Sequence, residues 1–280
     1  MKKFGLAFNV LIILFVCSIQ AWGQFTADEV AEWARWEAFL AEAPIVRSES
    51  VGEGVTAPSK LWMEKDGLKR AAVWKGVNKK LSAGVLDSWK YEIAAYRLDQ
   101  LIGLNMVPPA VERVYKGKKG ALVLWIDFQY SLLEIMEQGG RFPVRVAEQL
   151  PAWNDLYYIW SSLIANDDPT QQNIRFTRDW RIIFIDHSRA FRSDKPYTER
   201  LVFGANGIKK SAATGQPFLF TGLPRTLYEK IKALGLESIR QAVGPYLTDM
   251  EIEAVLARKK LLLDELDGLI KRDGEDKVLR

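Results

Sequence analysis

Cysteine and histidine are almost missing from this chain, with one of each in 280 residues. With His187 alone, no zinc site of the histidine-rich kinds can be assembled, and the sequence offers no catalytic triad. His187 reads instead as a packing or hydrogen-bonding residue behind Asp186. Cys17 falls inside an N-terminal apolar stretch, so a chain cut after Gly23 carries no thiol and tolerates an oxidising compartment without disulfides. Basic runs interleaved with aromatics are lacking too, apart from the short turn Lys116-Gly117-Lys118-Lys119, so nucleic acid is not an expected partner. No apolar run reaches the ~20 residues of a spanning helix. The longest, Leu6 to Ile19, is interrupted by Asn9.

That stretch has another meaning. Lys2 and Lys3 precede it and Ala21-Trp22-Gly23 follows it, the build of a secretory signal peptide cleaved before Gln24. The expectation is an exported protein, periplasmic or secreted, with no stable membrane span once the leader is removed; left uncut, the leader would be an anchor. Half of the formal charge goes with it, since the net +4 becomes +2 without Lys2 and Lys3. What remains is ordinary for a globular protein, 48% hydrophobic and 26% charged. Ten tryptophans suggest deep pockets.

Five segments follow from the patterning. After the leader (1–23), a helical extension (24–44) begins with the capping-box pair Thr26 and Glu29, carries Val30, Trp33, Trp36 and Leu40 on one stripe, and stops at Pro44. Residues 45–127 read as a strand-rich lobe: a hairpin at Asp66-Gly67, a strand ending on Lys75, a polar connection from 76 to 84, and a helix from Trp89 to Ile102 capped by Asp87 or Ser88. Two strands then flank a turn at residues 117–120. Residues 128–270 read as mainly helical, with one hairpin over 173–185 turned at Arg178-Asp179, a loop-rich stretch from Ser188 to Gly222, and closing helices. The charged tail, 271–280, is expected to fray. A monomer is expected.

The chemistry gathers in three places. Asn166-Asp167-Asp168-Pro169-Thr170-Gln171-Gln172-Asn173 follows an apolar helix and precedes a strand, and Asp168 and Asn173 have the D-x-x-x-x-N spacing of a phosphotransfer loop. The hairpin delivers Ile182-Ile183-Phe184-Ile185-Asp186, an apolar strand ending on a carboxylate that is costly to bury unless it meets a cation. Upstream, Lys75 ends an apolar strand and Glu92 sits on the next helix among Tyr91, Ala94 and Ala95. Phosphoryl transfer needs such a set, because its work is positioning and charge neutralisation.

On these residues, together with the stretch from Tyr91 to Pro109, the chain resembles bacterial proteins of the phosphatidylinositol 3- and 4-kinase-like domain family. It is similar in plan to secretory-pathway kinases of the four-jointed type and to HipA-type kinases. The resemblance spans roughly residues 50–270 and matches a G-N-x-D-R-H-x-x-N loop at Asn166, Asp168 and Asn173, and an I-D-H strand end at Ile185-Asp186-His187. It implies an α+β, bilobal protein-kinase-like fold, with a small β-rich lobe bearing one helix and a larger helical lobe. It implies ATP and Mg2+ (or Mn2+) as cofactors. Lys75 would hold the α- and β-phosphates and pair with Glu92; Asp168 would act as base; Asn173 and Asp186 would bind the metal. The adenine would lie against Trp125, Ile126 and Asp127, and Gly52 and Gly54 are candidates for the loop over the phosphates.

Two departures stand out. Ala165 replaces the usual glycine, and Pro169-Thr170 replaces an Arg-His pair. The implied activity is phosphotransfer to a hydroxyl of an unidentified protein, lipid or sugar acceptor in the cell envelope. Two alternatives stay open: a catalytically inactive, exported pseudokinase that binds a nucleotide or a protein, and a nucleotidyl transferase. Arg189 and Arg192 have two possible destinations, a substrate phosphate or a loop carboxylate, and the sequence does not choose.

Overall fold

The computed structural model describes residues 25–51, 58–81, 85–166 and 168–280. The expected leader, Gly52, Gly54 and Asp167 lie outside the described residues.

The chain opens with two short helices, α1 (Ala27–Ala31) and α2 (Trp33–Glu42), separated by a single turn at Glu32. The capping box forms: Glu29 N donates to Thr26 Oγ1 at 3.3 Å, and Thr26 N donates to Glu29 Oε2 at 2.8 Å. The far end of α2 is finished by a distant residue, Arg113, whose guanidinium donates to the carbonyls of Leu40 (2.5 Å) and Ala43 (2.7 Å). This satisfies carbonyls that a helix end leaves without a partner.

Strands β1 (Ile45–Ser50), β2 (Ser59–Lys65), β3 (Leu68–Lys75), β6 (Ala110–Tyr115) and β7 (Lys118–Leu124) form an antiparallel sheet in the order β1-β2-β3-β7-β6. Between β3 and β6 come a small hairpin, β4 (Asn78–Lys80) and β5 (Leu86–Ser88), and the helix α3 (Trp89–Ile102). Side chains alternate across the sheet with the period of two that a pleated strand imposes. Leu61, Met63, Ala72, Leu122 and Leu124 pack on Phe39 and Leu40 of α2, while Lys60, Val73, Lys75 and Val123 face a cleft. The β6–β7 turn sits earlier than expected. Lys116 and Gly117 both take positive φ (50° and 76°), so Tyr115 pairs directly with Lys118 across a two-residue turn.

Helix α3 is capped by Ser88, whose hydroxyl accepts from Lys90 N at 3.3 Å, and it ends at Gly103, φ 64°. It is buried along most of its length. The second lobe contains β8 (Tyr130–Ser131), α4 (Leu132–Glu137), α5 (Val144–Ala147) and α6 (Leu150–Leu163). The hairpin β9 (Ile174–Phe176) and β10 (Ile182–Phe184) follows, then α7 (Lys195–Glu199), α8 (Arg225–Ala233), α9 (Leu236–Val243), α10 (Asp249–Asp273) and α11 (Glu275–Val278). β10, β9 and β8 make a three-stranded sheet below the cleft. Several short elements had no clear sequence signal, among them the β4–β5 pair at the polar connection, β8, α7 inside the loop-rich stretch and α11 in the tail.

The tail is not frayed. Gly274 breaks the last long helix at φ 92°, and the chain returns to bury Val278 and Leu279. Leu223 N donates to Val278 O (2.9 Å), Arg280 N donates to Leu223 O (3.1 Å), and the Arg280 side chain meets Asp155 at 2.8 Å. Two apolar residues after a glycine outweigh the charges around them, which stay on the surface. Among the described residues no helix is long and apolar enough to cross a membrane.

Candidate active site

Lys75 ends β3, where pairing to Ala121 of β7 fixes its direction. Its ammonium lies 2.6 Å from Glu92 Oε1 and 2.8 Å from Asp186 Oδ1. Three elements from both lobes therefore meet at one charge. Burial works against the cation, but Asp186 and Glu92 together outweigh it and hold the Lys75 pKa above its ordinary value. Glu92, in the first turn of α3, is 3% exposed. Burial pushes its carboxyl upward against the pull of Lys75. The same oxygen that meets Lys75 also accepts from His187 N at 3.2 Å. Asp186 differs. Its side chain is 49% exposed, and the Lys75 charge lowers its pKa. Its backbone sits at φ 63°, a region that costs a non-glycine residue about 1 kcal/mol or more. The hairpin holds this strained carboxylate at the cleft: Ile185 N donates to Asn173 O at 3.0 Å.

The loop before the hairpin is tightly turned. Ala165 takes φ 47°, which explains why glycine is usual at that position in the resembling loops. Asp168 N donates to Asn166 Oδ1 at 3.1 Å, Thr170 N to Asp168 O at 2.9 Å, and Asn173 Nδ2 to Asp168 O at 3.4 Å. Asn173 is thus aimed by the loop that carries Asp168. The Asp168 carboxylate meets Arg189 Nη1 at 2.9 Å. Of the two arginines with an open destination, Arg189 goes to a loop carboxylate; Arg192 pairs with Asp194 at 2.8 Å and lies over Tyr197.

The cleft has a volume of about 730 Å³. Lys75, Glu92, Asn173 and Asp186 line it, and so do Trp125, Ile126 and Asp127 on the connection between the lobes. Asp168 is not part of that lining; Asn173 ties it to the cleft. Trp125 Nε1 donates to Asp127 at 3.2 Å, and Lys60 Nζ stands 3.5 Å over the Trp125 ring, a cation–π contact the sequence did not announce. Gly52 and Gly54 themselves are not described, but Val51 and Pro58 on either side of that segment line the cleft.

His187 is buried behind Asp186. Its Nε2 accepts from Trp160 Nε1 at 3.1 Å. Burial, helped by the nearby Lys75 charge, pushes its pKa down to about 3, so the imidazole is neutral at ordinary pH.

No protein-family model matches this sequence, and no curated protein does. Solved structures do. The chain is similar to hydra Fam20 with sugar (TM-score 0.59, 15% identity, 92% of this chain and 94% of that one). It is similar to the Golgi casein kinase with Mn/ADP bound (0.61, 13%, 89% and 79%). It is also similar to the Helicobacter pylori proinflammatory kinase CtkA (0.54, 11%, 86% and 99%). At such identities the likeness speaks to architecture alone. The chain has a bilobal, α+β kinase-like fold of the atypical kind.

Proposed function

We propose that this protein is an ATP-dependent phosphotransferase, an atypical kinase that moves the γ-phosphoryl group of ATP to a hydroxyl on a protein, lipid or sugar of the cell envelope. The observation that carries the reading is the meeting of Lys75, Glu92 and Asp186 at one buried charge, in the cleft that Asn173 also lines. A scaffold has no need to bury Glu92 beside Lys75 or to strain the backbone at Asp186, since each costs stability.

Lys75 binds the α- and β-phosphates and is kept in line by Glu92. The wall at Trp125, Ile126 and Asp127 receives the adenine. Asp168 orients the acceptor hydroxyl and takes its proton as that oxygen bonds to the γ-phosphorus and the β-phosphate oxygen leaves. The donor chemistry suits magnesium or manganese: Asn173 offers an amide oxygen and Asp186 a carboxylate, both hard ligands. Among the described residues no group of three or more His, Cys, Asp or Glu side chains could hold a metal. Two protein oxygens, completed by phosphate oxygens and water, are what magnesium commonly accepts. Held by Asn173 and Asp186, a divalent ion would supply neutralisation of the charge on the transferring phosphate. The Mn/ADP complex of the Golgi casein kinase supports a nucleotide and a divalent cation as ligands. Membership of the phosphatidylinositol 3- and 4-kinase-like family, and export, remain part of this proposal.

The test uses protein beginning at Gln24, with γ-labelled and α-labelled ATP and magnesium or manganese, beside Asp186→Ala. Transfer of the γ-label, falling by at least about 100-fold in the variant, is expected. Transfer of the α-label instead would replace phosphoryl by nucleotidyl transfer. A wild type that binds no nucleotide would end both readings.

A further inference from the structure

The loop that carries Asp168 has no cation of its own. From Asn166 to Asn173 it holds two adjacent carboxylates, amides, one hydroxyl and a proline. The cation comes from elsewhere. Arg189, three residues beyond Asp186, donates from Nη1 to Asp168 Oδ2 at 2.9 Å, and from Nε to Asp87 Oδ2 at 3.4 Å. Asp87 is 2% exposed, and its other oxygen, Oδ1, has no hydrogen-bond partner among the described residues. A carboxylate so deep is costly unless a cation meets it, and Arg189 does so from the opposite lobe. The next residue, Ser88, caps α3 and donates its backbone N–H to Ser188 O at 2.8 Å. The segment after Asp186 is therefore joined by a side chain and by backbone to the start of the helix that bears Glu92. A planar guanidinium meets its two carboxylates along fixed edges and so sets the spacing between them, whereas a lysine ammonium is a point charge on a flexible stem that fixes no donor direction.

We propose that Arg189 is a positioning residue for the transfer: it sets the Asp168 carboxylate and, through Asp87, couples that setting to the α3 placement that aligns Glu92 with Lys75. This rests on the phosphotransferase reading above. Arg189 touches neither nucleotide nor acceptor in this role; it acts through Asp168. The base and the Lys75–Glu92 pair then come into register together, because one side chain binds the loop to the helix start.

Two measurements on the chain beginning at Gln24 test it, applied to Arg189→Met, Arg189→Lys, Asp87→Asn and the Arg189→Met/Asp87→Asn double variant. The first is amide hydrogen exchange. Arg189→Met should speed exchange about tenfold in both 166–173 and 86–92 while α10 is unchanged. The second is turnover. kcat should fall about 10- to 100-fold with the nucleotide KM held within about twofold, because a misplaced base slows chemistry and not binding. Arg189→Lys should recover only part of the loss, and the double variant should be no worse than Arg189→Met, since both act on one link. Unchanged exchange in the two segments, protection lost evenly through the molecule, or a raised KM with kcat intact would each overturn the proposal. If the wild type transfers no phosphate, the phosphotransferase reading fails by itself; the exchange data then still decide whether Arg189 couples loop to helix.

Discussion

Lys75 is a cation shared by two carboxylates of unequal standing. Glu92 is buried and has no water to fall back on, whereas Asp186 is half-exposed and keeps its hydration. Removing the ammonium therefore hurts through Glu92. Lys75→Met should cost about 3–5 kcal/mol in urea unfolding, the usual penalty for leaving one charge of a buried pair alone. Lys75→Met/Glu92→Leu should recover most of that stability while remaining inactive. A single variant as stable as wild type would mean that Glu92 is already neutral in the fold. At this scale the sequence spoke clearly where chemistry and position coincided. An aspartate closing an apolar strand and an asparagine five residues after another aspartate are local patterns, and the structure brings Asn173 and Asp186 to one cleft. It was silent on Arg189, because two arginines of one loop carry the same local information and only burial of Asp87 separates them.

Elements are held in place by a few buried polar groups, of which Asp99 is the plainest. Near the end of α3 it accepts the amides of Asn105, Met106 and Val107 at 2.9, 2.9 and 3.1 Å, which fixes the chain as it leaves Gly103 and returns to the sheet. Burial pushes its carboxyl up to about 7 from an ordinary 3.8, against the pull of those three amides. Between these values the folded state holds the extra proton, so stability contributed by Asp99 is lost as pH rises through that window. Relative to Asp99→Asn, which does not titrate, the wild type should lose about 1.4 kcal/mol per pH unit between pH 5 and 7. Urea unfolding at several pH values measures that slope; a flat difference would show that the amides keep Asp99 ionised. Helix ends were largely readable from the sequence, since Thr26, Ser88 and Gly103 act through their nearest backbone. The β6–β7 turn was misplaced because Lys116-Gly117 and the Gly120 region offer similar turn chemistry, and cross-strand register settled which was used.

Across the whole molecule the N-terminal helices join what would otherwise be separate parts. Phe25 N donates to Asn105 O at 2.9 Å, Trp33 packs edge-on between Phe25 and Tyr96 with centroids 5.6 and 5.4 Å away, and Glu37 accepts from Tyr96 Oη at 2.6 Å. Glu29 pairs with Arg181 at the tip of the hairpin that carries Asn173 and Asp186. A half-buried pair at the surface of that kind contributes on the order of 1 kcal/mol, so the packing matters more. Trp33→Ala, at a site 3% exposed, should cost about 3–5 kcal/mol in chemical denaturation. A loss under 1 kcal/mol would mark the extension as an ornament on a fold stable without it. The C-terminal return is a similar closure, and sequence reading missed it because the charges at 271–277 conceal two apolar residues whose burial depends on a groove beside Leu223.

By itself the sequence determined the local states: which stretches alternate, where helices are capped, and that an acid-bearing loop and strand lie close along the chain. These follow from backbone geometry and neighbouring side chains, which are present before any long loop closes. The tertiary structure alone decided the partners, because Lys75 and Asp186 are 111 residues apart and Arg189 and Asp87 are 102. A charge chooses its counterion by which one the docked lobes strip of water beside it, and that desolvation exists only once the two lobes have met.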